Sequence, residues 1–337
     1  MERCIPDARA VFKSQRGGCS SVPWAERLAD AVPSRRKPVT YVNVGANKGY
    51  RIPEFLGLWS QRPVLGYMKA WQKQLLRYAD AHNFRYLKRF SCGNCGDCNG
   101  VPPAPHNRSG ARMHLFELAT ANRALLTYML DATKLTNRVQ LHPFAASNVT
   151  QEMTVFKGLY AGDERGSALV GKKAYRLQKG NATETVRAVA LDDFFQEKRL
   201  RDLYHVAIDT EGWDALVVEG MRQTLAERRV AILEFEVNSG GMWSPSCTRC
   251  AGKRTVNGTL TLLHAAGYAC FWVLTKTLLP ASGPCWLPDY GGKLKWSNIV
   301  CAHEPPLIRA LDAMAREEYA SRAAAAPSPS PGGVILG

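Results

Sequence analysis

The sequence predicts an α/β fold with a largely parallel sheet, and three observations carry that prediction. Strand-like and helix-like stretches alternate along the chain, the first β-rich run enters a helical one through a glycine-containing loop, and later β-rich runs end in carboxylates. A chain of 337 residues with 46% hydrophobic residues can bury one large core, or a core with an inserted subdomain, without staples.

The elements follow in order. "PVTYVNV" (38 to 44) is a short β-rich run, "RMHLFEL" (112 to 118) is a second with the helical "ATANRALLTYMLDATKL" behind it, and "RVQLHPFAAS" (138 to 147) is a third. "TVRAVALDDFF" (185 to 195), "LYHVAIDTEGWDALVVEGM" (203 to 221) and "RVAILEFEVN" (229 to 238) continue the alternation. "YACFWVL" (268 to 274) and "WSNIVCAHE" (296 to 304) form a closing pair of strands. The organisation expected is an N-terminal extension (1 to 37), a main domain (38 to 305), a C-terminal helix (306 to 325) and a disordered Pro/Ser/Gly-rich tail (326 to 337). No internal repeat is present.

"NVGANKG" (43 to 49) lies at the seam between the first strand and a helix. A strand ending in Gly-x-x-x-Gly lets the backbone approach a ligand closely with N–H groups free to donate, although the same turn can serve only to reverse the chain. It is not the dinucleotide fingerprint, because Gly-x-Gly-x-x-Gly would need glycine where Asn47 stands. The next strand ends in Glu117, placed where doubly wound folds present a carboxylate to a ribose diol. A later strand delivers Asp209 and Glu211 to its carboxyl end, where ligands sit in open α/β sheets.

At these residues the sequence resembles the FkbM family of S-adenosylmethionine-dependent methyltransferases. "VNVGANKG" is similar to that family's D-x-G-A-N-x-G, "LFELATANRALL" to its F-E-P-x-x-x-x-x-x-L, and "AVALDDFF" to its T-L-D-D-F. "AIDTEGWDALVVEGM" is similar to its K-I-D-x-E-G-x-E-x-x-x-L-x-G, and "ILEFEVN" to its penultimate E-x-N/H element. The five motifs keep their order over residues 38 to about 303. The resemblance implies a Rossmann-like class I methyltransferase: a central, mostly parallel seven-stranded sheet with helices on both faces, a helical and cysteine-rich insertion after the first strand, S-adenosyl-L-methionine as cofactor, and methyl transfer to oxygen.

Carried over by position, the resemblance places Asn43, Gly45, Ala46, Asn47 and Gly49 against the methionine part of the cofactor and gives Glu117 the ribose hydroxyls. It puts Phe144, Ala145 and Ala146 near the adenine, and Asp209 and Glu211 beside the sulfonium and the acceptor. Asp209, Glu211 and Glu236, all at strand ends, are the candidates for a general base; the plainer role for Asp209 and Glu211 is to order the turn at Gly212. His205, alone and back from the strand tip, reads as structural. The sequence also departs from the family pattern. Asn43 replaces Asp, which leaves an amide that still accepts a hydrogen bond; Leu118 replaces Pro, Ala207 replaces Lys and Asp214 replaces Glu. A member without activity that binds an anionic polymer is the alternative these departures keep open.

Lys and Arg total 44 against 29 Asp and Glu, a net charge of +15, which suits an anionic acceptor. The stretch from Arg51 to Arg112 holds ten of these cations against three acids. A compact βαβ step needs roughly 30 residues in all, so the segment of about 54 to 110 reads as an insertion capping the acceptor side of the crevice. The acceptor expected is a small molecule or a glycan, acidic in character. Nucleic acid is the rival, since the cations interleave with Trp71, Tyr78, Phe84 and Tyr86, but aromatics on helices are more often buried, and no Asn/Asp-Pro-Pro-Tyr/Phe motif for methylation at an exocyclic amine is present.

Ten cysteines include Cys92, Cys95 and Cys98 in C-x2-C-x2-C and Cys247 and Cys250 in "CTRC". Two such knuckles can hold a structural zinc, and paired disulfides or free thiols are the competing accounts. Four sequons, at Asn107, Asn148, Asn181 and Asn257, together with an even cysteine count, favour a secretory lumen. Against that, "MERCIPDARAVFKSQRGG" lacks the apolar centre of a signal peptide, which favours the cytoplasm, and no run is long and apolar enough to span a membrane.

Overall fold

The computed structural model of the chain describes residues 4–32, 38–59, 68–89, 95, 110–156, 183–243, 255–292 and 295–325. Its strands, in chain order, are β1 Val39–Val44, β2 Ala111–Phe116, β3 Val139–His142, β4 Ala145–Ser147, β5 Gln151–Phe156, β6 Thr183–Ala190, β7 Leu203–Ile208, β8 Val230–Val237, β9 Ala269–Val273, β10 Leu278–Pro280 and β11 Ser297–Ala302. Eight of them form one sheet in the order β10-β9-β11-β8-β7-β1-β2-β3. From β3 to β8 every pairing is parallel, while β11 runs antiparallel to both β8 and β9.

Every residue of β7 and β8 is buried, as expected of central parallel strands covered on both faces. The core is one continuous cluster, centred on residues such as Tyr41, Leu115, Val206, Phe235 and Trp272. The seven strands implied by the family resemblance are all present. The eighth, β10, is a three-residue edge strand paired antiparallel with β9.

One stretch divides differently from its sequence pattern. The run 138 to 147 is two strands, β3 in the main sheet and β4 in a second sheet of order β4-β6-β5. The break falls at Pro143, which has no N–H to extend the ladder. The second sheet carries its own small core of Ala145, Val155, Val186 and Ala188.

The N-terminal segment packs onto the far edge of the main sheet. Helix Ala8–Gln15 sets Phe12 against Trp272 and Tyr290, with ring centroids 5.1 and 4.7 Å apart. Helix Trp24–Ala31 lies against helix Pro305–Ala325, where Arg27 pairs with Glu317 at 2.5 Å. Disulfides join Cys4 to Cys285, Cys19 to Cys95, and Cys270 to Cys301, the last between directly opposed residues of β9 and β11.

Cys95 is thereby removed from the proposed zinc set, because its sulfur is spent in the bond to Cys19. Cys92, Cys98, Cys247 and Cys250 lie outside the described residues. Among the described residues no cluster of three or more His, Cys, Asp or Glu side chains could hold a metal. No described helix is long and apolar enough to cross a membrane.

The described part of the insertion packs down on the domain. Helix Met68–Ala81 buries Trp71, Leu75, Tyr78 and Ala79, with Tyr78 5.1 Å from Tyr128 of helix Thr120–Ala132. The Trp71 indole donates to the Lys48 carbonyl at 2.8 Å, so the helix props the glycine loop from behind. The buried Trp71 and Tyr78 are therefore core residues and cannot stack on bases.

Candidate functional site

The chain leaves β1 outward to β2 and β3, then returns to the other side of β1 as β7. The strand order thus reverses between β1 and β7, and open α/β sheets bind ligands at the carboxyl ends of the strands flanking such a point. Both flanking strands end in the sequence motifs singled out above.

The glycine loop is built for close approach to its neighbours. Gly45 and Gly49 have φ of 83° and 76°, where a side chain is strained. A Cβ on Gly45 would sit 1.9 Å from the Asp209 carbonyl oxygen, and one on Gly49 would meet Leu126 and Trp71 at 2.8 Å. The Asp209 N–H donates to the Val44 carbonyl at 2.9 Å, and the N–H groups of Gly45 and Ala46 both donate to the Phe116 carbonyl at 3.0 Å. Three strand tips are laced together through backbone contacts alone.

Glu117 ties the loop to the second strand end. One carboxylate oxygen accepts the Asn47 N–H at 2.8 Å and the other accepts the Ala119 N–H at 2.8 Å. Burial pushes this carboxyl up, against the opposing pull of those N–H groups, Asn122 and Arg123. Asn43 is buried in β1 beside Ala207 of β7. Asn47 Oδ1 is buried and accepts no hydrogen bond from the protein.

The turn after β7 is organised by Asp214. Its carboxylate accepts from the Thr210 hydroxyl at 3.0 Å, the Gly212 N–H at 3.2 Å and the Glu236 N–H at 3.2 Å. Glu211 and Gly212 both take positive φ, 54° and 93°, and Gly212 backs directly onto Gly240 and Gly241. Burial, reinforced by Asp209, raises the Asp214 carboxyl to about 8. Glu236 is raised further still, by burial and then by Asp209, Asp214 and Glu211, against a hydrogen bond from Asn238 at 2.7 Å. Asp209, Glu211 and Glu236 therefore gather in one acidic group, whose mutual repulsion favours the protonated form of Glu236.

The remaining sequence candidates divide. Phe144 follows β3 with the Arg187 guanidinium 5.2 Å over its ring, and two residues before it the His142 carbonyl accepts the Glu117 N–H. Ala145 instead turns into the small sheet's core, while Ala146 packs partly against the main core.

Sequence reasoning missed a charged network beside the site. Arg51, directly after the glycine loop, pairs with Glu234 of β8 at 2.5 Å and with Glu54 at 3.0 Å. Glu234 lies next to Ala207 in register and also accepts from Asn298 Nδ2 at 2.9 Å, with His205 Nε2 3.5 Å away. Burial alone would raise the Glu234 carboxyl, but Arg51 and His205 hold it at about 2. No local pattern signals a contact between residues 183 apart. His205 is structural, as expected, edge-on to Tyr41 at 4.9 Å and Trp24 at 5.8 Å.

The methyltransferase FkbM domain profile matches residues 43–270, more than half of the chain and all of the crevice. The chain belongs to the FkbM methyltransferase family. Its sheet order and crevice place it with the Rossmann-like methyltransferase folds. Similar solved structures include an FkbM methyltransferase from Methylobacillus flagellatus KT, at 12% identity and a TM-score of 0.33 over 69% of this chain and 45% of that one. An S-adenosylmethionine-dependent methyltransferase from Agrobacterium tumefaciens is 9% identical, with a TM-score of 0.35 over 89% of this chain and 63% of that one. The chain thus spans less than two thirds of the length of either structure. Among curated proteins no sequence matches.

Proposed function

We propose that this FkbM-family chain is an S-adenosylmethionine-dependent O-methyltransferase acting on a hydroxyl or carboxyl of a glycan or small metabolite of acidic character, with residues 38 to 305 as its catalytic unit. One observation carries the reading: Gly45, Glu117 and Asp209 meet at the point where the strand order reverses, through contacts that leave no room for a side chain at position 45.

The donor set fits the cofactor. The orphaned Asn47 Oδ1 suits an amino acid's ammonium end, the Glu117 carboxylate suits a diol, and the acidic group of Asp209, Glu211 and Glu236 suits a cationic centre. When bound, the cofactor supplies an already activated methyl group, which leaves alignment and removal of the acceptor proton to the protein. Asp209 and Glu211 are assigned the proton, since burial and the neighbouring carboxylates push the Glu236 carboxyl up and favour its protonated form. Phe144 is assigned the adenine face.

A second reading, an inactive module that binds an anionic polymer, draws on the exposed stripe of Lys69, Lys73 and Arg77 along helix Met68–Ala81. Calorimetry with S-adenosylhomocysteine separates the two. Micromolar binding supports the methyltransferase reading, and labelled methyl transfer onto acidic glycans then tests the acceptor; no binding at millimolar ligand overturns it in favour of the module.

A further inference from the structure

Disulfides persist in oxidising compartments, and one of these, the secretory lumen, is also where sequon asparagines receive glycans. Sequons at Asn107 and Asn181 lie outside the described residues. The other two differ sharply in their surroundings.

Asn148 is half-buried in the turn between β4 and β5. Its Nδ2 donates to Glu219 at 3.5 Å and its Oδ1 accepts from the Ser147 hydroxyl at 3.3 Å. A glycan on Nδ2 would have to enter the seam that joins this turn to the domain.

Asn257 is exposed in the first turn of helix Val256–Ala265. Thr255 caps that helix by accepting the Gly258 N–H at 3.0 Å, so the cap does not depend on Asn257. Gly258 beside it is exposed and Thr259 turns into the core, which leaves the outward face clear.

We propose that Asn257 carries an N-linked glycan and that Asn148 does not. In the transfer, Asn257 Nδ2 forms a C–N bond to the anomeric carbon of a lipid-linked oligosaccharide; the C–O bond to the lipid pyrophosphate breaks, the pyrophosphate leaves with the electron pair, and the amide loses one proton. Position gives the sugar a consequence. β8 and β9 both run antiparallel to β11, so the helix between them begins on the carboxyl side of the sheet, and a glycan at Asn257 stands on the crevice side.

The test is site mapping on protein isolated from the cells that make it, digested with peptide N-glycosidase in heavy-oxygen water and read by mass spectrometry. The expected result is labelled Asp at position 257, unlabelled Asn at 148, and a loss of one glycan mass in N257Q but none in N148Q. An unmodified Asn257 in protein whose disulfides are formed would overturn the proposal, as would a glycan on Asn148 in folded protein.

Discussion

Replacing Glu234 with Gln removes the charge opposite Arg51 while keeping an oxygen for the Asn298 amide. A buried carboxyl held at about 2 against an ordinary 4.5 corresponds to about 3 kcal/mol of native stability. Removing one partner of a buried ion pair costs about 3–5 kcal/mol in general, and because Arg51 is one-third exposed and keeps Glu54 the loss belongs at the low end of that range. The sign follows from the direction of the shift. Because the folded value lies below the unfolded one, the contribution is complete above pH 4.5 and fades as pH falls toward 2. Equilibrium denaturation of the disulfide-intact protein, followed by circular dichroism, should show E234Q less stable by about 3 kcal/mol at pH 7 and the gap closing near pH 2. Equal stability at neutral pH, or a gap that stays constant down to pH 2, would refute the assignment of Arg51 as the partner that holds this carboxylate.

Other substitutions probe the loop, the β7 turn and the basic helix. G45A should keep the fold but weaken S-adenosylhomocysteine binding by more than tenfold, since the positive φ costs about 1–2 kcal/mol and the new methyl collides with the Asp209 carbonyl; calorimetry reads it. D214N should shed hydrogen bonds from the β7 turn at about 1–3 kcal/mol. The Asp214 carboxyl is raised, so the wild-type protein loses stability as pH climbs from about 4 to about 8, and D214N should flatten that slope in thermal melts. Changing Lys69, Lys73 and Arg77 together to Ser should weaken binding to a sulfated polysaccharide by about tenfold at low salt and leave S-adenosylhomocysteine affinity unchanged, the difference vanishing at about 1 M salt.

The legible parts of this molecule were those whose chemistry is local. A strand that must turn at once into a helix writes its glycines within seven residues, and a carboxylate needed at a strand tip stands beside the strand that carries it, so Gly45, Glu117 and Asp209 could be found in the chain and then met at one crevice. The double role of Asp214, bonded to its own turn and to Glu236 across the gap between strands, has no such mark. Neither does the ion pair of Arg51 with Glu234, which depends on a register that only the assembled sheet sets. The cysteines show the limit most plainly. Spacing within "CGNCGDC" leaves a zinc knuckle, disulfides and free thiols all open, and Cys95 bonds to a cysteine 76 residues away, a distance that sequence spacing does not encode.

The disulfide between Cys4 and Cys285 closes nearly the whole chain into a ring, and the one between Cys19 and Cys95 closes a smaller ring inside it. A protease that cuts once anywhere between those outer cysteines opens the ring and releases nothing. Cleavage in the basic insertion should therefore appear as two bands on a reducing gel and one on a non-reducing gel. The chain can be cut there and still hold every strand of its crevice in one covalent piece.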